Sequence, residues 1–122
     1  MKCILIVDDS PVIRRNLRVL LEQGGWAVCG EAENGLDGIQ KAQQLKPDLV
    51  VLDRTMPVMN GLQAARKLKK MMPAVSLLMY ANHASTSLRA EAREAGIDTL
   101  RNKSGGIAAL VMGIRQLLDA AA

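Results

Sequence analysis

Phenylalanine is absent from this chain, and Trp26 and Tyr80 are its only large aromatic side chains. Platforms for stacking bases are therefore missing, which argues against a reader of RNA or single-stranded DNA. The core has to be built from Leu, Val, Ile, Ala and several Met, the methionines acting as filler rather than as a binding stripe. There are two cysteines. Cys3 and Cys29 sit in strand-like apolar contexts without metal-type spacing and are expected to be reduced, buried small hydrophobes. The one histidine, His83, is expected in an exposed loop. No apolar run is long enough to span a bilayer, and no signal peptide is recognised, so a cytoplasmic location is expected. A glycine-rich phosphate loop and a second general acid beside a nucleophile are also missing, which argues against an enzyme of the aspartyl-phosphate hydrolase or flavodoxin-like type. The net charge of +4 is carried by scattered helix positions such as Arg14, Arg15, Lys67, Lys69, Lys70, Arg89 and Arg93. That pattern is a solvated helix surface rather than a nucleic-acid footprint.

What is present is a regular alternation. The 122 residues suit one domain, 1–122, with the alanines 120–122 as a frayed tail. The apolar run Cys3–Val7 ends in Asp8-Asp9, and Ser10-Pro11 then caps a helix with Ile13, Leu17, Leu20 and Leu21 on one face. Gly24-Gly25 stops that helix. A weaker strand over 26–32 and a helix over 36–45 follow. Pro47 precedes the β-branched run 49–52, which ends in Asp53 and is broken by Pro57 and Asn60-Gly61. The pattern then predicts a helix over 60–71, a strand over 75–80, an Ala-rich helix over 84–95 capped by Gly96, a strand over 97–101, and a last helix over 107–118. Leu110, Ile114, Leu117 and Leu118 lie on the inner face of that helix. Strands alternating with helices through short loops imply right-handed crossovers. The expected fold is α/β: a doubly wound, five-stranded parallel sheet with five flanking helices.

Three of the strands end in charge: Asp8-Asp9, Asp53 and Lys103. In a parallel sheet these ends share one edge, where ligands of open α/β sheets collect, and the flavodoxin-like order 2-1-3-4-5 brings them together. Three converging carboxylates repel each other and must be protonated, paired or bridged by a cation. A hard, oxygen-preferring ion such as Mg²⁺ suits them, and one lysine balances only one of the charges.

With these residues in hand the sequence resembles the receiver domain of bacterial two-component response regulators, over essentially the whole chain. The resemblance rests on the apolar strand with Asp8-Asp9, on Asp53 with Met56-Pro57 and Gly61, on the Ala95-Gly96 helix end, and on Lys103. It implies a phospho-accepting signalling module, not an enzyme in the ordinary sense. Asp53 would accept a phosphoryl group from a histidine kinase or a histidine phosphotransfer protein. Asp8, Asp9, Asp53 and the main-chain carbonyl of Thr55 would hold Mg²⁺. Lys103 would pair with Asp53 and later with a phosphoryl oxygen. Output would come through partner binding, or through a homodimer formed by the last two helices and the fifth strand. A DNA-binding regulator of which this is the receiver part is a further reading, but the chain contains no helix-turn-helix and is not expected to bind DNA itself. Thr55 also lies where the family tunes hydrolysis of the acyl phosphate, and Arg54 is expected to point away from the pocket.

The chain departs from the family pattern at two switch positions. The Thr or Ser usual at the end of the fourth strand falls, by spacing from both Asp53 and Lys103, on Ala81; a one-residue slip would place Tyr80 there instead. The aromatic position three before the lysine is Leu100, and the proline after the lysine is Ser104. Without the short hydroxyl that senses phosphate, the conformational response is expected to be weak or unconventional, which also suits a phosphorelay intermediate or a pseudo-receiver.

Overall fold

The computed structural model describes residues 2–119; the tail expected over 120–122 lies outside the described residues. In chain order the elements are β1 (Cys3–Val7), α1 (Pro11–Gln23), β2 (Ala27–Ala32), α2 (Gly35–Leu45), β3 (Leu49–Asp53), α3 (Gly61–Met71), β4 (Ser76–Ala81), α4 (Thr86–Glu94), β5 (Thr99–Asn102), a 3₁₀ turn (Lys103–Gly105) and α5 (Gly106–Asp119). The five strands form one sheet in the order β2-β1-β3-β4-β5, and every pairing is parallel. This is the expected doubly wound, flavodoxin-like arrangement.

Strand alternation divides the core in two. Ile4, Ile6, Val51, Leu78 and Tyr80 face α1 and α5, meeting Leu17, Leu21, Leu110, Ile114 and Leu118. Leu5, Val7, Val50, Leu52, Leu77, Met79 and Ala81 face the other side, against residues of α2, α3 and α4. Every residue of β3 is buried, as a central strand covered on both faces requires. Met56 and Met79 are buried filler, while Met71 and Met112 are exposed.

The helix starts follow local chemistry. Ser10, Asn34, Asn60 and Ser85 each accept a backbone N–H from the third residue beyond, and Asn60 with Gln63 forms a capping box. Ser85 starts α4 two residues later than the sequence pattern suggests. The fifth strand also begins later than expected, because the N–H groups of Ile97 and Asp98 are spent on the carbonyls of Ala92 and Leu77.

The cysteines correct one expectation. Cys3 and Cys29 are joined as a disulfide, with their Cα atoms 5.6 Å apart. The sequence lacks any spacing signal for this pairing because the geometry comes from the sheet. The β1–β2 register shifts between Ile4 and Leu5, so Cys29 has no direct partner across the strand and lies beside Cys3. Reduced cysteine therefore no longer argues for a reducing compartment. Among the described residues, no helix is long and apolar enough to cross a membrane.

At the end of β2, Glu31 accepts from Arg14 at 3.0 Å and Arg18 at 2.7 Å, tying α1 to the sheet. Burial raises the Glu31 carboxyl, but the hydrogen bonds and charge of Arg18 and Arg14 outweigh it and hold it below the usual carboxylate range. A lowered folded-state pKa adds stability that is present above the unfolded value and lost as pH falls through the folded one. Glu31→Gln should therefore cost about 1 kcal/mol at pH 7, a modest value because the pair is partly solvated. The difference from wild type should shrink once pH drops below 4.5. Urea unfolding of both proteins across that range measures it.

Candidate functional site

The carboxyl edge of the sheet brings together Asp8, just past β1; Asp53, the last residue of β3; and Lys103, one residue past β5. Asp9 completes the group. One carboxylate oxygen from each of Asp8, Asp9 and Asp53 lies within 4.8 Å of the others. Asp8 and Asp53 are buried, at 0% and 3% exposure, whereas Asp9 faces solvent. Lys103 Nζ stands 3.0 Å from Asp53 Oδ1, and the Thr55 N–H donates to the same oxygen at 3.3 Å. Asp8 is held as firmly: the Ser10 N–H donates to Oδ1 at 2.7 Å, and the Tyr80 hydroxyl donates to Oδ2.

Parity explains why these groups meet. Asp53 continues the series of Val51, and Tyr80 that of Leu78, both on the α1–α5 side. Asp53 and Tyr80 are also register partners in adjacent strands. Asp8 extends the Ile4–Ile6 series on the same side. Lys103 enters from β5 through the 3₁₀ turn, where Asn102 accepts the Ser104 N–H at 2.9 Å.

Burial is the largest influence on Asp53 and raises its carboxyl above the ordinary range. The Lys103 hydrogen bond pulls it back, while the Asp8 charge pushes it further up. Burial, followed by the charge of Asp8, drives the Tyr80 hydroxyl far above its ordinary range and keeps it a proton donor. The donor set is all oxygen and carries excess negative charge, so it fits a hard divalent cation better than a soft one.

The loop between β3 and α3 is tightly made. The Met59 N–H reaches the Pro57 carbonyl at 2.7 Å across Val58, whose φ is 69°. That is a strained three-residue turn for a β-branched side chain. Arg54 points to solvent, as expected, and Thr55 is exposed at the pocket mouth. Gly61 packs directly on the end of β3. Its N–H donates to the Arg54 carbonyl at 2.9 Å, and a Cβ there would run into the Asp53 carbonyl oxygen and meet Arg54 Cα at 3.0 Å.

Of the two residues expected at switch positions, Ala81 ends β4 on the opposite side of the sheet from Tyr80, and Leu100 is half-buried in β5 against the α2–α4 core. The pocket hydroxyl therefore comes from Tyr80, with a long reach, and not from residue 81. Sequence reasoning considered Tyr80 only as a slipped switch residue and missed its contact with Asp8. The available signal was parity: residues 8, 53 and 80 all fall on one side of a sheet in this order. His83 is exposed in the β4–α4 loop.

Fold and pocket together define a flavodoxin-like α/β domain with a buried carboxylate, a lysine partner and a cation-ready acidic cluster at the strand ends. The family model described as the response regulator receiver domain matches residues 4–115, and the chain belongs to that family. It is 37% identical over 95 residues to the chemotaxis protein CheY of Thermotoga maritima, covering 78% of this chain and 79% of that protein. It is 39% identical over 107 residues to protein-glutamate methylesterase/protein-glutamine glutaminase 3 of Hahella chejuensis, covering 84% of this chain but 30% of that protein. The response regulator GacA of Pseudomonas viridiflava is 33% identical, with 92% of this chain and 53% of that protein covered. The chain thus spans only part of several of its relatives. Among solved structures, a CheY-like receiver domain protein from Methanospirillum hungatei superposes with a TM-score of 0.90 at 28% identity, covering 98% of this chain and 95% of that one.

Because the atoms crowding Gly61 are backbone, they cannot step aside cheaply. Gly61→Ala should lower stability by about 2 kcal/mol, as overpacking does, and weaken the Gly61–Arg54 bond. Denaturant midpoints give the stability loss, and amide exchange at Gly61 reports the bond.

Proposed function

We propose that this chain is a phospho-accepting receiver module, 1–122, with Asp53 as the acceptor. The observation that carries this reading is the Lys103–Asp53 pair at 3.0 Å beside two further carboxylates within 4.8 Å, on a buried strand end. In the reaction the Asp53 carboxylate oxygen attacks the phosphorus of a phosphohistidine. The new O–P bond forms as the P–N bond breaks, and the released imidazole takes a proton from solvent. Such transfer depends mainly on alignment and on neutralising oxygen charge. Lys103 aligns Asp53 beforehand and then meets a phosphoryl oxygen. The Thr55 N–H helps fix the attacking carboxylate.

Asp8, Asp9, Asp53 and the Thr55 carbonyl would hold Mg²⁺. Its contribution when bound is to offset the negative charge of acceptor and donor oxygens. The donor would be a histidine kinase or a histidine phosphotransfer protein. As in receivers of the CheY kind, the proposed role is signalling rather than metabolic catalysis, and the proposed location is the cytoplasm. Output would run through partner contacts or a homodimer using α4, β5 and α5. The chain itself is not proposed to bind nucleic acid or membrane; joined to a DNA-binding domain it would serve as that regulator's receiver part.

Incubation with acetyl phosphate and Mg²⁺ should give one phosphoryl adduct by intact mass. The adduct should be lost in Asp53→Asn and without the metal. If the parent stays unmodified under conditions where Mg²⁺ binds, the chain is a pseudo-receiver.

A phosphorelay intermediate is the second reading, favoured by Ala81. A receiver that only passes phosphate on needs the acceptor chemistry but little conformational coupling. Lacking a short hydroxyl at 81 and an aromatic ring at Leu100, the protein should show small amide shifts between Ala81 and Leu100 when a phosphate mimic binds. A large two-state change there in heteronuclear spectra would refute the weak-switch reading.

A further inference from the structure

The chain's single tyrosine is built into the floor of the acidic pocket. The residue is 1% exposed, and its ring belongs to the core between the sheet and α1–α5. Its hydroxyl donates to Asp8 Oδ2, and Lys103 Nζ stands 5.2 Å from its ring centroid. One side chain thus touches both the Asp8 carboxylate just past β1 and the Lys103 ammonium paired with Asp53. With the Ser10 N–H on Oδ1, both oxygens of a fully buried carboxylate are occupied by protein donors.

We infer that Tyr80 is a positioning residue that sets the divalent-cation affinity of the pocket, holding Asp8 when the metal is absent and competing with it for Oδ2 when it enters. The inference rests on the reading of Asp8, Asp9 and Asp53 as a cation site. A buried carboxylate without donors is costly, and a hydrogen bond to an ionised acceptor is among the stronger ones. Tyr80 supplies that bond in the empty pocket and so lowers its free energy. A cation approaching Oδ2 must share the oxygen with the hydroxyl or displace it. Both effects weaken cation binding relative to a pocket without the hydroxyl.

Tyr80→Phe isolates this effect. Phenylalanine fills the same core space and still offers Lys103 a ring face, but Asp8 then loses one donor. Calorimetric titration with Mg²⁺ should show binding about tenfold tighter in Tyr80→Phe than in wild type, the scale of one hydrogen bond to a charged group. Equal or weaker binding by folded Tyr80→Phe, beside a wild type that binds, overturns the role of the tyrosine and leaves the cation site standing. Absence of Mg²⁺ binding in both proteins overturns the cation reading itself, and this inference with it.

A second readout needs no altered tyrosine. Because there is one tyrosine, wild type carrying ¹³Cζ-tyrosine gives a single resonance that senses the hydroxyl's partner. That resonance should move on Mg²⁺ saturation, and should also differ between metal-free wild type and Asp8→Asn. A resonance unmoved by both changes overturns the inference, even if Tyr80→Phe does not fold.

Discussion

Two like charges buried side by side are the constraint on which the pocket depends. Asp8 and Asp53 have oxygens within 4.8 Å of each other. At the effective dielectric of a partly buried site, repulsion at that separation is on the order of 3 kcal/mol. The fold meets it with donors from separate parts of the chain: Ser10 from the start of α1, Tyr80 from β4, Thr55 from the loop after β3 and Lys103 from the turn after β5. None of these groups is near Asp8 and Asp53 together in sequence except through the sheet. Strand order and register are therefore part of the chemistry, since a slip of one residue in β4 would send Tyr80 to the other face.

The surrounding packing holds the charges in place. All of β3 is buried, so Asp53 cannot withdraw toward solvent by bending its strand. Gly61 brings α3 against the backbone of Asp53 and Arg54, and the tight turn at Val58 closes the loop between them. Preorganisation of this kind suits phosphoryl transfer, in which the protein contributes alignment more than bond-making groups. The same rigidity keeps the carboxylates close, which makes a cation or a proton a natural partner of this pocket.

The sheet, its order and the four charged groups were legible in the sequence because each leaves a local mark: an apolar run, a cap, a charge at a strand end. Helix starts were legible at Ser10 and Asn60, where a capping side chain follows directly on a strand end or a turn, but not at Ser85. Two features were not legible. The Cys3–Cys29 bond depends on a register shift in β1–β2, and no local pattern encodes a shift between separate strands. Tyr80 reads as a large core residue in a strand, and its contact with Asp8 follows only when parity is combined with register across two pairings. Both misses arise from the relation between elements rather than from the elements.

The position of the hydroxyl bears on how such a pocket could signal. A Ser or Thr at residue 81 would sit at the last position of β4, on the opposite side of the sheet from Tyr80. Tyr80 instead carries its hydroxyl at the tip of a ring locked in the core with Leu78, Ile114 and Leu110. Moving that hydroxyl by ångströms would open space in a close-packed interior, at a cost of kilocalories rather than tenths. Lys103, by contrast, is partly exposed and stands on a short 3₁₀ turn leading directly into α5. The more accessible donor of this pocket is therefore its lysine, one short turn from α5, and the least accessible is its tyrosine.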